Sequence, residues 1–134
     1  MEWSIYRKLG VKPKNLVYFF NGHENFFRKA RSMMPTGVEI RRKLAPDETA
    51  DLIFVWPEEG GEWTDLFKVL KMLLKANGAV WVVIPRKEVA MEKNVSVFFG
   101  DVQHAALKAG LVDNKVARVN EKEYAIRFVR RARA

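Results

Sequence analysis

Short apolar runs alternate along the chain with segments in which apolar residues recur every three or four positions. The runs predict six strands, at residues 15–20, 38–42, 50–56, 79–85, 111–119 and 124–130. The third and fourth runs are apolar at nearly every position, which is typical of strands buried on both faces of a sheet. The last two runs are joined by a short polar turn and predict an antiparallel hairpin.

Three segments between these strands have helical periodicity. Residues 24–34, 63–74 and 98–109 each place their apolar side chains on one face and their charged side chains on the other. Glycine adopts a left-handed C-cap without steric cost. We therefore expect the pair Asn77 and Gly78 to end the second helix, and Gly110 to end the third.

Buried strands that alternate with helices indicate a mostly parallel sheet covered on both faces, because parallel strands need crossover connections. The predicted fold class is therefore α/β, as a doubly wound three-layer sandwich. A chain of 134 residues can bury roughly two-thirds of its unfolded surface in one core. We expect residues 1–134 to form a single domain.

The composition narrows the chemistry. The chain has no cysteine, which excludes a disulfide framework, a thiolate metal site and a cysteine nucleophile. His23 and His104 lie far apart and form no metal motif, so no metal is expected. The N-terminal segment lacks the apolar core of a signal peptide, and the apolar runs are too short to cross a bilayer. We expect a soluble cytoplasmic protein with no membrane partner.

The net charge is +8, yet residues 46–67 hold seven acids and no Lys or Arg. A basic balance raises the local concentration of phosphate groups and makes nucleic acid a possible partner. The same charge also fits ordinary solvated lysines, because a distribution along the chain is not a surface patch.

The segment from Ala50 to Arg131 resembles the second half of class I methyltransferases. ADLIFVW is similar to their fourth strand, LFKVLKMLLKANGAVWVVIPRK to the following helix and fifth strand, and ALKAGLVDNKVARVNEKEYAIRFVRR to the last helix and hairpin. This resemblance implies the strand order 2-1-3-4-6-5 with strand 6 antiparallel, and one strand and helix fewer near residues 43–50. Through YRKLGVKPKN, residues 16–25, AGLVDNKV and RFVRR, the whole chain also resembles a small uncharacterised bacterial family of Rossmann-like proteins.

Ligands of open α/β sheets lie beyond the carboxyl ends of the strands where the strand order reverses, here between the first and third strands. The loops at this edge contain the candidate ligand-binding residues Asn21, Gly22, His23, Trp56, Pro57, Glu58, Pro85, Arg86 and Lys87. His23 suits a general base, but no Ser or Cys nucleophile is evident beside it. A turn histidine that helps to cap the next helix is the favoured interpretation, and no catalytic residue is assigned.

The resemblance also implies how S-adenosylmethionine would be held. Class I methyltransferases use an acid and two or three glycines after the first strand, and an acid at the end of the second strand. Here the first loop reads NGHEN, and the second strand ends in Arg41, Arg42 and Lys43. Side chains in place of glycines narrow the approach to the backbone. Binding of S-adenosylmethionine in the usual way is therefore disfavoured, and the cofactor is unknown.

Three functions remain open from the sequence. The favoured hypothesis is a non-catalytic binding or interaction module whose partner is a small molecule or a protein. The first alternative is an S-adenosylmethionine-dependent methyltransferase with an atypical cofactor loop, and the second is a basic nucleic-acid-binding protein. The fold alone does not choose between them, because one fold hosts many functions.

Overall fold

The computed structural model describes residues 3–21, 24–57, 62–94 and 97–131. In chain order its elements are α1 Trp3–Lys8, β1 Leu16–Phe20, α2 Glu24–Met33, β2 Glu39–Arg41, β3 Ala50–Val55, α3 Trp63–Met72, β4 Leu74–Pro85, α4 Lys87–Glu92, α5 Phe99–Lys108, β5 Leu111–Arg118 and β6 Glu123–Arg130.

The strands form one six-stranded sheet in the order β2-β1-β3-β4-β6-β5. Strands β2, β1, β3 and β4 are mutually parallel, whereas β6 is antiparallel to both β4 and β5. The register aligns Phe19 with Phe54, and Phe54 with Trp81, across the middle of the sheet. The predicted fold class, strand order and antiparallel hairpin are confirmed.

Both faces of the sheet are buried, and side chains of β4 alternate between them. Val80, Val82 and Ile84 join the core that packs against α3 and α5. Trp81 and Val83 join the core on the other face, which packs against α1 and α2. This alternation follows from the period of two along a strand, and it makes the molecule three layers thick.

The first residues form a helix that the sequence pattern did not predict. Tyr6 in α1 and Leu9 just after it are buried on the α2 side of the sheet. The indole Nε1 of Trp81 donates a hydrogen bond of 2.8 Å to the carbonyl oxygen of Leu9. A six-residue helix offers too few turns for periodicity to be visible. The same reason accounts for α4, which buries Ala90.

The predicted end of the second helix was wrong. Helix α3 ends at Met72, and the chain enters β4 at Leu74. The left-handed glycines of the described residues are Gly10, Gly37 and Gly110, so Gly78 is not one of them. By contrast, Gly110 follows α5 with a φ of +88°, which confirms the predicted glycine at that helix end.

Close packing requires the glycine at position 78. The pairing of β3 with β4 jumps from Ala50 opposite Leu74 to Leu52 opposite Ala79, so the intervening part of β4 bulges outward. A Cβ atom on Gly78 would lie 2.7 Å from the carbonyl oxygen of Asp51 and 2.7 Å from Cδ1 of Leu74. The position therefore needs glycine for space and not for a left-handed turn.

Candidate functional site

The loops after β1, β3 and β4 lie side by side at the carboxyl edge of the sheet, because these strands are parallel neighbours. A backbone hydrogen bond of 3.2 Å from the amide of Trp56 to the carbonyl oxygen of Phe20 extends the β1–β3 pairing into this edge. The candidate residues Asn21, Trp56 and Pro85 therefore stand at the ends of adjacent strands.

The loop after β1 begins with a strained residue. Asn21 has a φ of +62° and is exposed. Asparagine is one of the few residues other than glycine that visit this region. Gly22 and His23 lie outside the described residues, so the interpretation of His23 as a helix-capping residue stays a prediction.

Trp56 is a packed residue at this edge. Its ring lies 5.8 Å from the ring of Phe19, centroid to centroid, and it packs against the core on the α1–α2 face. Pro57 follows and is half-buried, whereas Glu58 lies outside the described residues. An aromatic wall is thus present next to the β1 loop.

Arg86 fastens the β5–β6 turn to the end of β4. Its backbone amide donates to the carbonyl oxygen of Lys122 at 2.8 Å, and its guanidinium Nη1 donates to the carbonyl oxygen of Glu121 at 3.2 Å. Its Nε also lies 3.6 Å from a carboxylate oxygen of Glu88. These contacts give Arg86 a positioning role at the site.

The end of β2 carries a closed ionic network. The Arg41 guanidinium lies 2.8 Å from a carboxylate oxygen of Glu39 and 3.2 Å from one of Glu48. The other carboxylate oxygen of Glu48 accepts a hydrogen bond of 2.9 Å from the backbone amide of Ala45. The two acids nearest to this strand end are therefore already bound by groups of the chain itself.

Arg42, the residue after β2, contacts an aromatic ring of α2. Its guanidinium carbon lies 5.2 Å from the centre of the Phe27 ring, and that of Arg31 lies 5.9 Å from the same centre. A cation over an aromatic face at this range is attracted by the ring quadrupole. Arg42 thereby attaches the end of β2 to helix α2, whereas the contact of Arg31 with Phe27 lies within α2.

A pocket of about 460 Å³ opens one strand further along the same edge, beyond β4. Its walls are mostly apolar and include Pro85, Lys87, Val97, Phe98, Phe99 and Tyr124. Two of the nine candidates, Pro85 and Lys87, line it, whereas Asn21, Trp56, Pro57 and Arg86 do not. Sequence reasoning missed the other five lining residues, which are Val97, Phe98, Phe99, Gly100 and Tyr124. They come from the segment that leads into α5, from the first turn of α5 and from the start of β6, which only the folded sheet brings together.

Tyr124 forms one side of this pocket. Its ring and that of Phe99 are nearly parallel, with centroids 6.4 Å apart and an angle of 15° between the planes. Burial raises the pKa of Tyr124 above its ordinary value of 10.0, so its hydroxyl stays protonated at neutral pH. The signal in the sequence was the aromatic pair Phe98 and Phe99 at a predicted helix start.

Two further findings concern the described residues as a whole. In residues 3–21, 24–57, 62–94 and 97–131, no three side chains of metal-ligating type come together. No helix in those ranges combines the length and the apolar character that spanning a bilayer requires.

The order of strands and the two helical layers define the class of protein. This is a Rossmann-like α/β fold of the methyltransferase type. Residues 7–132 match the family described as protein of unknown function (DUF3052), and the chain belongs to that family. No curated protein matches the sequence.

Solved methyltransferase structures share this fold at low sequence identity. An S-adenosylmethionine-dependent methyltransferase from Aquifex aeolicus is similar with a TM-score of 0.69 and 13% identity, over 95% of this chain and 88% of that one. The CcbJ methyltransferase from Streptomyces caelestis has a TM-score of 0.63 and 8% identity, over 98% and 89%. A ribosomal protein L11 methylase from Lactobacillus delbrueckii subsp. bulgaricus has a TM-score of 0.61 and 13% identity, over 98% and 77%. At such identities the likeness is one of fold.

Proposed function

We propose that this chain is a single-domain, non-catalytic binding module that has kept the methyltransferase-like fold and binds its ligand at the carboxyl edge of the sheet. The site comprises the loops that follow β1, β3 and β4, at residues 21–23, 56–58 and 85–87. This edge is where open α/β sheets hold their ligands, because the strand order reverses there.

The Arg41 network is the observation that carries this proposal. A methyltransferase-type fold holds the ribose hydroxyls of its cofactor with an acid at the end of the second strand. Both acids near the end of β2, Glu39 and Glu48, are bound to the Arg41 guanidinium. A sugar hydroxyl would therefore have to compete with the Arg41 guanidinium for these partly exposed carboxylates.

The residue after β1 supports the same conclusion. At Asn21 the backbone has a φ of +62°, and this turn carries a side chain where a glycine-rich loop would leave the backbone accessible. The residues present therefore do not fit S-adenosylmethionine held in the usual way, and no step of a reaction is assigned to it.

The alternative is a methyltransferase with an atypical cofactor loop. The similarity to solved methyltransferases over nearly the whole chain favours it. It needs S-adenosylmethionine to bind without the contacts at the ends of β1 and β2.

Isothermal titration calorimetry separates the two. We expect no saturable heat when S-adenosylmethionine or S-adenosylhomocysteine is titrated into the protein to millimolar concentration. The Arg41→Ala variant, which releases Glu39 and Glu48, serves as the matched comparison. Saturable binding by the wild-type protein with a micromolar dissociation constant would contradict the proposal, and methyl transfer to any acceptor would establish the alternative.

A further inference from the structure

The pocket beyond β4 is built from three separate parts of the chain. Pro85 and Lys87 follow β4, Val97 to Gly100 lead into α5, and Tyr124 begins β6. The sheet register places Tyr124 opposite Ile84 and Glu123 opposite Pro85, so the β6 strand start is held against the β4 strand end. Because paired strands fix its floor, the pocket is preformed.

The size and walls of the pocket suit a small flat molecule. A volume of about 460 Å³ lies within the range of small-molecule sites. Phe98, Phe99 and Tyr124 offer aromatic surface, and the near-parallel rings of Phe99 and Tyr124 present faces of the same orientation. Aromatic rings stack on such faces with offset geometry.

Two polar groups at the pocket have no partner in the described parts of the chain. Neither the ammonium of Lys87 nor the hydroxyl of Tyr124 makes a hydrogen bond or ion pair there. The first is a positive charge and the second is a neutral donor. Together they match one carboxylate, which has two acceptor oxygens and one negative charge.

We propose that this pocket binds a small aromatic carboxylate, whose ring packs among Phe98, Phe99 and Tyr124 and whose carboxylate meets the Lys87 ammonium and the Tyr124 hydroxyl. The inference rests on the proposed binding function, because it assigns that function a ligand class at the same edge of the sheet. It places the ligand beyond β4, two strands away from the reversal point between β1 and β3.

The polar groups of the pocket discriminate between ligand classes. A phosphate ester carries about two charges at neutral pH and is bound by several charged side chains, whereas the described side chains that line this pocket supply one cation and one hydroxyl. A nucleobase presents several hydrogen-bonding edges that apolar walls would leave unpaired. A single carboxylate on an aromatic ring leaves no such group unsatisfied.

The direct test compares 2-naphthoate with its neutral amide, 2-naphthamide. Binding is followed by calorimetry and by the backbone amide NMR signals of the intact chain. We expect saturable shifts at Phe99, Gly100 and Tyr124 with the carboxylate, and at least fivefold weaker binding of the amide. Equal affinity for the two compounds would overturn the carboxylate assignment, and no saturable shift at these residues would overturn the site.

A charge variant tests the role of Lys87. Lys87→Met keeps the length of the side chain and removes its charge, and we expect it to weaken 2-naphthoate by about fivefold, as for a partly solvated ion pair. The matched control is Lys93→Met, which removes an equal charge from the other end of α4. Equal losses in both variants would show that only the overall charge matters and would overturn the contact.

A steric variant tests the pocket without relying on charge. Gly100 lines the pocket, and a Cβ atom placed there meets nothing within 4 Å. We expect Gly100→Leu to remain folded and to abolish binding of 2-naphthoate, while His104→Leu on the exposed side of α5 binds as the wild type does. Full binding by a folded Gly100→Leu variant would overturn the site. If the wild-type protein binds neither 2-naphthoate nor S-adenosylmethionine, this inference is refuted and the proposed function stands.

Discussion

Arg130 joins the last strand to the end of helix α3. Its guanidinium donates hydrogen bonds of 2.7 Å to the carbonyl oxygens of Lys71, Leu74 and Lys75. These carbonyls belong to the last turn of α3 and the first residues of β4, where the helix has no following turn to supply N–H donors. Arg130 therefore stabilises the end of α3, for which the sequence predicted a glycine cap at Gly78.

Replacing this arginine should destabilise the fold. In Arg130→Met three carbonyl oxygens lose a charged donor, two of them in part-buried bonds, and we expect the free energy of unfolding to fall by about 2 kcal/mol. Urea unfolding measures the change. Arg127→Met, on the same strand, is the control and should cost less than half as much; equal losses would show that the carbonyl contacts contribute nothing specific.

Tyr18 makes the free energy of unfolding decrease at alkaline pH. Burial on β1 raises its pKa above the ordinary value of 10.0, because the charged phenolate loses its hydration. The pKa of Tyr18 is higher in the folded protein than in the unfolded chain. The contribution of its neutral phenol to stability is therefore fully present below the unfolded pKa, and it is lost as the pH rises through the folded pKa.

The expected result is a decrease in the free energy of unfolding above the ordinary tyrosine pKa. Tyr18→Phe should show a shallower decrease, because lysines and the other tyrosines titrate alike in both proteins. Urea unfolding across this pH range provides the comparison, and ultraviolet difference absorbance reports phenolate formation. Identical pH profiles for the two proteins would rule out the buried phenol as the cause.

At the scale of single elements, Gly78 and Gly100 cannot be told apart by sequence patterns, but they differ in their packing. Gly78 lies in the bulge of β4 with a carbonyl oxygen 2.7 Å from its ideal Cβ position, whereas Gly100 lies in the first turn of α5 with open space around it. The difference is invisible in the sequence, because it depends on Asp51 in a neighbouring strand.

Replacing each glycine with alanine distinguishes these two environments. We expect Gly78→Ala to lower the free energy of unfolding by about 2 kcal/mol, because β3 or Leu74 must move to admit the methyl group. Gly100→Ala should raise it by up to about 0.5 kcal/mol, because alanine loses less backbone entropy in a helix. Chemical denaturation of both variants is sufficient, and destabilisation of equal size would refute the packing described at Gly78.

The regular elements were predictable, and the short ones were not. The strands at residues 50–55 and 79–85 are apolar at every position except Asp51, so their burial on both faces could be predicted from local sequence. Helices α1 and α4 each have six residues, and their buried side chains depend on partners from distant segments. The extension of β4 back to Leu74 likewise involves distant residues, because Leu74 pairs with Ala50 of β3 and its carbonyl oxygen accepts a hydrogen bond from Arg130.

The candidate site was likewise predictable only in part. The position of the loops at the carboxyl edge followed from strand order, which placed Asn21, Trp56 and Pro85 at neighbouring strand ends. The pocket beyond β4 could not be predicted, because its aromatic walls come from α5 and from an antiparallel strand. No local pattern in the sequence links Phe99 to Tyr124.

At the scale of the whole molecule, part of the basic excess serves the fold. The chain carries a net charge of +8, yet Arg41, Arg86 and Arg130 are all held by carboxylates or carbonyl oxygens of the chain itself. Binding phosphates with these arginines would require breaking those contacts.

Nucleic-acid binding should therefore be weak. We expect retention of a short RNA on the protein to be slight and nearly insensitive to salt, as measured by fluorescence anisotropy at several ionic strengths. Binding through several phosphates would instead give an affinity that falls steeply and linearly on a logarithmic salt scale. That steep dependence would favour a basic nucleic-acid-binding protein over the proposed module.

The measurement that tests the central claim most directly is a backbone amide NMR titration with S-adenosylmethionine. The account predicts no saturable shift at Asn21, Ala45 or Glu48, because the turn after β1 carries a side chain and the acids near β2 are bound to Arg41. Saturable shifts at these residues would show that the cofactor occupies the ends of β1 and β2, and would contradict the account that these strand ends do not fit it.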